Sequence, residues 1–328
     1  MRGVQISDDG QMLYSISADR SIKGINTGGA VAINYPNAHK SSINRCLILS
    51  QTGLATGDDA GHVKIWDLRS PMAVMEYEMH EDFISGFAYK EEKFELLSTS
   101  GDYTLGVYDV RKPTADVRSD EQESELNCVE IIKGGRKAIC GTQDGVLLIF
   151  SDGRWGDCSD RFPGHPDSVD CMLKIDESTI VTGSSDGLIR VVSVQPNKVL
   201  GIIGDHEEFP VEGLRPNYDN TILASFAHDE VIRFWDLSMF QDENMDGDDE
   251  DEEVAQEDNM RVADMDEEDE DEDDGAVEMS DADDSDENDG GDDSDSDSDS
   301  DESERGNGGM DVGKRVLPTA REKFFADL

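Results

Sequence analysis

The stretch "ATGDDAGHVKIWD" (residues 55–67) reads as a turn of Asp and Gly followed by a β-run that closes on Trp66-Asp67. Five further stretches repeat its layout: "SISADRSIKGIN", "STSGDYTLGVYD", "CGTQDGVLLIFS", "TGSSDGLIRVVS" and "SFAHDEVIRFWD". Their closing pairs fall at residues 25–26, 66–67, 108–109, 150–151, 192–193 and 235–236, a spacing of 41 to 43 residues. So regular a period marks an internal repeat of small supersecondary units, none of which can bury its apolar surface alone.

Each unit is β-rich throughout. "INRCLILSQTG", "SGFAYKEEKF" and "VDCMLKIDEST" are runs ended by turn formers, and each precedes a second run such as "LLSTSGD" or "IVTGSSD". Asp144-Gly145 and Asp186-Gly187 suit tight hairpins, because Gly accepts positive φ. With "MAVMEYEMH" or "NKVLGIIGDH" as a fourth strand, each unit becomes one blade of an all-β propeller.

Charge divides the chain. Of 77 Asp and Glu against 28 Lys and Arg, residues 241–304 hold 36 acids and one base, Arg261. Those residues offer almost no aromatic or branched apolar side chains to offset backbone ordering entropy, so an acidic disordered tail is expected there. The expected organisation is a propeller over 1–240, the tail over 241–304 and a short C-terminal peptide over 305–328. The tail run "DDSDSDSDSDESE" sets Ser294, Ser296, Ser298 and Ser300 among acids, a setting acidophilic kinases favour, and each phosphate would add about −1.5 to −2 charges. Such a tail suits basic partners, ribosomal proteins or histones among them, although a purely solubilising role fits as well. The terminal peptide carries Phe324, Phe325 and Leu328 after a basic start and reads as a recognition motif or a segment that returns to the propeller.

Little in the sequence points to chemistry. No nucleophile elbow, phosphate loop, HxH or HExxH spacing occurs, and "GINTGGAV" (24–31) joins two strands rather than opening a helix. No enzyme, cofactor or metal site is therefore expected. Five cysteines without CxxC pairing fit a reducing compartment, and no run is long and apolar enough to span a membrane. The first 240 residues are net acidic and lack a basic stripe, which argues against direct nucleic-acid binding and leaves only local patches such as Lys133, Arg136 and Lys137.

His39, His80, His165 and His206 stand 21 to 23 residues before the turn position of their own units. With the closing Trp-Asp pairs, this pattern resembles the WD-repeat family, in which a His, a strand Ser or Thr, the turn Asp and the terminal Trp form a buried hydrogen-bond chain. The resemblance implies pairing of His80 with Asp102, of His165 with Asp186, and of His206 with Asp229 and Trp235. Ala60 at the turn position of the second unit implies a weakened chain there. It also implies a seven-bladed ring of which the first blade and the closing outer strand are missing here, with a six-bladed ring as the alternative. Trp66-Asp67-Leu68-Arg69 is similar to the sequence by which some WD proteins dock the damaged-DNA-binding adaptor of cullin-4 ubiquitin ligases. Trp66 and Asp67 are repeat positions, so Arg69 would supply the fork for a carboxylate or carbonyl, with Tyr108-Asp109-Val110-Arg111 as a weaker copy.

"TGDDAGHVKIWD", "CGTQDGVLLIF" with "DCSDRFPGHPDSVD", and the FFADL terminus together resemble the WD repeat-containing protein 55 family. That resemblance implies a nuclear and nucleolar scaffold supporting ribosomal-RNA production and ribosome biogenesis. The alternative it carries is a substrate receptor of a cullin-4 ligase.

Overall fold

A computed structural model of the chain describes residues 1–238. The acidic run, its serines and the terminal Phe324, Phe325 and Leu328 lie outside the described residues. Twenty-three strands form six antiparallel sheets, each a meander in chain order. Blade 1 is β1 (Gly3–Ile6), β2 (Met12–Ile16), β3 (Ile22–Asn26) and β4 (Val31–Tyr35); blade 2 is β5 (Ile43–Ile48), β6 (Gly53–Asp58), β7 (His62–Asp67) and β8 (Ala73–Glu78). Blade 3 is β9 (Ile84–Lys90), β10 (Glu95–Ser100), β11 (Leu105–Asp109) and β12 (Val117–Arg118); blade 4 is β13 (Leu126–Ile132), β14 (Lys137–Thr142), β15 (Val146–Ser151) and β16 (Asp160–Pro163). Blade 5 is β17 (Val169–Lys174), β18 (Thr179–Ser184), β19 (Leu188–Ser193) and β20 (Lys198–Asp205), and blade 6 has three strands, β21 (Val211–Pro216), β22 (Ile222–Ala227) and β23 (Ile232–Asp236).

The hairpins follow their turn chemistry. Gly145 and Gly187 take φ of 77° and 81°, so each Asp-Gly pair turns where only glycine avoids a steric cost. Second strands such as β6 and β18 are buried along their whole length, because blades pack on both faces. Five apolar clusters fill the five interfaces between consecutive blades. Trp66 illustrates the arrangement, stacking on Tyr35 of the previous blade at 5.5 Å between ring centroids.

The first strands, β1, β5, β9, β13, β17 and β21, line a central cavity of about 710 Å³. Near the start of β5, β9, β13, β17 and β21 the register slips by one residue. A bulge of this kind leaves one residue out of the ladder and re-aims it. Asn44, Ser85, Asn127, Asp170 and Glu212 are those residues, and all five line the cavity. From the same strands, Arg45 Nε and Ser85 Oγ donate to the carbonyls of Ser85 and Leu126, while Cys128 Sγ lies 3.5 Å from Val169 O and Cys171 Sγ 3.3 Å from Val211 O. Each link joins one blade to the next.

Candidate functional site

The repeat histidines lie at the blade edges where fourth strands lead into first strands. In blade 2, His39 Nδ1 is 3.0 Å from Asp58 Oδ2, His39 Nε2 is 2.7 Å from Thr56 Oγ1, and Trp66 Nε1 donates to Thr56 Oγ1 at 2.8 Å. An aspartate at Nδ1 fixes the proton there, so the Thr56 hydroxyl donates to Nε2 and accepts from the indole. Burial raises the Asp58 pKa, but hydrogen bonds from His39 and the His62 amide outweigh it and leave the carboxyl at about 2. Blade 2 therefore has a complete chain, contrary to the weakening expected from Ala60. Asp58, two residues earlier at the end of β6, takes the role of the turn aspartate.

Blade 3 joins His80 Nδ1 to Asp102 at 2.9 Å and His80 Nε2 to Ser98 Oγ at 2.7 Å, with Tyr108 OH 3.1 Å from the same hydroxyl in place of an indole. Blade 6 joins His206 to Asp229 at 2.8 Å and to Ser225 at 2.6 Å, and Trp235 Nε1 donates to Ser225 at 2.8 Å. Blade 5 departs from expectation: His165 and Asp186 are not paired. Asp186 instead accepts from Arg190 NH1 at 3.0 Å and NH2 at 2.5 Å, while His165 Nε2 bonds Thr182 at 2.8 Å and, among the described residues, its buried Nδ1 has no hydrogen-bond partner. Arg190, on the strand beside the turn, draws the carboxylate away by a charge-assisted fork. Burial, then the Arg190 charge, pushes the His165 pKa down to about 4.

Antiparallel strands send successive loops to opposite faces. Loops after second and fourth strands define an upper face, and loops after first and third strands a lower face. Arg69 lies on the lower face, in the β7–β8 loop. Its Nε and NH2 donate to Asp67 Oδ1 and Oδ2 at 2.9 and 3.0 Å, and its backbone N–H donates to Oδ1 at 3.0 Å. The carboxylate that fits this fork is thus the chain's own, a correction to the expectation that the whole fork faces a partner. Asp67 is nearly buried while the Arg69 side chain is 43% exposed, so the guanidinium is a fixed, cationic plate on the surface. Burial raises the Asp67 pKa, and the Arg69 bonds override it to hold the carboxyl below the usual range.

Arg111 repeats this geometry on the next blade. Its Nε and NH2 both lie 2.8 Å from Asp109, its side chain is 47% exposed, and it covers the Phe94 ring at 4.7 Å. Tyr108-Asp109-Val110-Arg111 is therefore a full structural equivalent of the first motif. Phe94 beneath it, in the loop after β9, carried no sequence signal of that role.

Charge divides the two faces. Upper-face loops hold 16 Asp and Glu against Arg20 and Lys40, whereas lower-face loops hold 10 acids and 7 bases. A cavity of about 530 Å³ opens among the upper loops, lined by Asp59, Asp82, Phe83, Arg2, Asn44 and Arg45 among others. Arg2 bonds Asp59 at 2.6 Å there. Among the described residues no group of His, Cys, Asp and Glu is placed to hold a metal, and no helix is long and apolar enough to cross a membrane.

A propeller of about 42-residue units, closed internally by His–hydroxyl–Trp chains, is a WD-repeat scaffold. The chain belongs to the WDR55 family, whose model matches residues 1–240. It is 43% identical over 239 residues to WD repeat-containing protein 55 of Arabidopsis thaliana, covering 72% of this chain and 67% of the relative. It is 41% identical over 261 residues to WD repeat-containing protein JIP5 of Coprinopsis cinerea (76% and 64% covered) and 36% identical over 241 residues to WD repeat-containing protein 55 of Homo sapiens (73% and 63%). The match thus spans about two thirds of the length of these curated relatives. Among solved structures, the computationally designed Ika8 protein shares the fold, with a TM-score of 0.59 at 20% identity over 72% of this chain and 70% of that one.

Proposed function

We propose that the chain is a nuclear and nucleolar scaffold that holds basic proteins during ribosomal-RNA production and ribosome assembly. The observation that carries this reading is the charge of the upper face, 16 acids against two bases in loops held by a rigid ring. A fixed field of one sign raises the local concentration and on-rate of oppositely charged partners. The acidic run 241–304 adds a second attractor in the same chain. Affinity purification from nucleoli tests it. Ribosomal proteins and pre-ribosomal RNA should co-purify, and Asp120→Lys with Glu121→Lys and Glu123→Lys should deplete them; recovery unchanged by that triple variant would overturn the upper-face reading.

A second reading rests on the paired plates of the lower face. Arg69 on Asp67 and Arg111 on Asp109 present two cationic surfaces from adjacent blades, suited to the adaptor of a cullin-4 ligase. Scaffold and receptor roles use opposite faces and are compatible. Arg69→Ala combined with Arg111→Ala should abolish adaptor capture, and equal recovery from the double variant would remove this reading.

A further inference from the structure

The lower face of blade 4 carries a group of bases that the rest of the fold leaves unneutralised. Lys133 and Arg136 stand in the β13–β14 loop, Lys137 opens β14, and Arg154 stands in the β15–β16 loop. Among the described residues none of the four forms an ion pair. The other bases of the lower loops, Arg69, Lys93, Arg111 and Lys112, each hold an aspartate. Nearby acids are engaged elsewhere: Asp152 holds Lys90 and Lys93, Glu177 holds Lys174 and the Gly134 N–H, and Asp160 accepts from Asn197. Asp157, exposed in the β15–β16 loop, has no base among the described residues and accepts from the Cys158 N–H.

Backbone geometry gathers the four bases into one surface. Lys133, Gly134 and Gly135 take φ of 55°, 59° and 77°, a left-handed run that folds the loop back until Arg136 Nε donates to Lys133 O at 3.0 Å. Lys137 pairs with Ser151 across β14 and β15, and the Asp152 and Arg154 N–H groups donate to Arg136 O and Ser151 O, both at 2.9 Å. Lys137 Nζ donates to Ser151 Oγ at 2.7 Å and Ser159 Oγ at 3.2 Å, so one charge of the group is fixed in place. Arg136 and Arg154 are exposed, and among the described residues neither donates from NH1 or NH2.

We propose that this surface binds a phosphorylated serine or threonine of a partner protein. A guanidinium presents two parallel N–H groups that match phosphate oxygens, and arginine clusters recognise phosphorylated motifs in this way. One phosphoryl group brings about −1.5 to −2 charges to a single point at neutral pH, which suits a small surface where four bases face Asp157. Lys137, already held by two hydroxyls, loses little freedom on binding. A nucleic-acid backbone fits less well. The bases are confined to two loops of one blade, and Trp155, the aromatic side chain of those loops, is buried and offers no stacking surface. The net charge of −49 also opposes a long polyanion more than a single phosphoryl group. This surface is separate from the acidic upper loops and from the Arg69 and Arg111 plates, so its test stands apart from both readings of the function.

Retention on peptide beads tests the proposal, using the purified full-length chain after phosphatase treatment and removal of the phosphatase. The probe is a degenerate peptide library with a fixed central phosphoserine, set beside the same library with serine and beside immobilised oligouridylate. At about 150 mM salt, where distant charges are screened, the phosphoserine beads should retain about tenfold more protein than the serine beads. Arg136→Ala with Arg154→Ala should remove that excess. Because both side chains are exposed, this variant should keep the wild-type circular dichroism and melting temperature. Arg136→Lys with Arg154→Lys keeps the charge without the forks and should leave an intermediate excess, whereas Arg20→Ala, in an upper-face loop, should leave it whole. Equal retention on phosphoserine and serine beads, an excess indifferent to the double alanine variant, or stronger retention on oligouridylate that the same variant abolishes would each overturn the proposal.

Discussion

At the scale of single residues, the same side-chain type serves different ends according to its neighbour. Arg69 and Arg190 both fork onto an aspartate, yet one fixes a surface plate and the other removes the partner of a buried histidine. The variant Arg69→Ala takes a charged fork from a nearly buried Asp67 but leaves the Arg69 backbone N–H bonded to it, so it should lower the urea unfolding free energy by about 1 kcal/mol. Loss of a partner with that variant would then report on contact rather than on folding. Thr56→Val is expected to be more costly, about 1–3 kcal/mol, because it strands the Trp66 indole N–H and His39 Nε2 in the interior. Chemical denaturation of the two variants side by side checks both.

His165 gives a pH prediction with a definite sign. Its folded pKa of about 4 lies below its unfolded value of 6.5, so between these the unfolded chain binds more protons. Stability from this group is complete above pH 6.5 and is lost as pH falls toward 4, a change of at most about 3 kcal/mol. An NMR titration should place the His165 midpoint near 4, and Arg190→Ala should move it upward by removing a like charge and releasing Asp186. A wild-type midpoint above 6 would contradict the assignment.

At the scale of elements, close approach between blades is set by glycine. A Cβ on Gly57 would lie 2.6 Å from Ile84 of the next blade, and one on Gly141 2.8 Å from Val169. Overpacking of this kind costs about 1–3 kcal/mol, so Gly141→Ala should lower the unfolding free energy by that amount, and a neutral result would mean the blades yield. Element order and type were legible in the sequence, because turns at a spacing of 41 to 43 residues fix where strands begin and alternation fixes their faces. The bulges of the first strands were not legible. They depend on the contact between blades, which no local pattern of residues expresses. The unpaired His165 stayed hidden for a similar reason: Arg190 lies four residues past Asp186 in sequence and reads as an ordinary polar strand position. The role of Asp58 is not legible in the sequence, because Asp58, Asp59 and Ala60 are three adjacent candidates for the turn position and only backbone geometry selects one.

At the scale of the molecule, charge rather than shape distinguishes the two faces. The total charge was plain in the sequence, but its partition required knowing which loops emerge together, and that follows only from the meander. Capture of a basic partner by the upper face should weaken steeply between 50 and 200 mM salt, as screening shortens the reach of the field. Contact through the Arg69 and Arg111 plates, being local, should respond less. Measuring capture of a basic ribosomal protein and of the cullin adaptor across that range separates the two faces, and equal slopes would count against the division.

The five apolar clusters lie one to an interface, and the first-strand links join each blade to the next. Such a body has nearest-neighbour energetics: its cohesion is a series of similar joints rather than one shared core. Under mechanical load a series of this kind yields joint by joint. Drawn from the end of blade 6, the chain should lengthen in steps, each freeing about 42 residues, or roughly 140–150 Å of contour. A scaffold so built can lose its last blade to a pulling partner or an unfolding motor while the blades before it keep their packing.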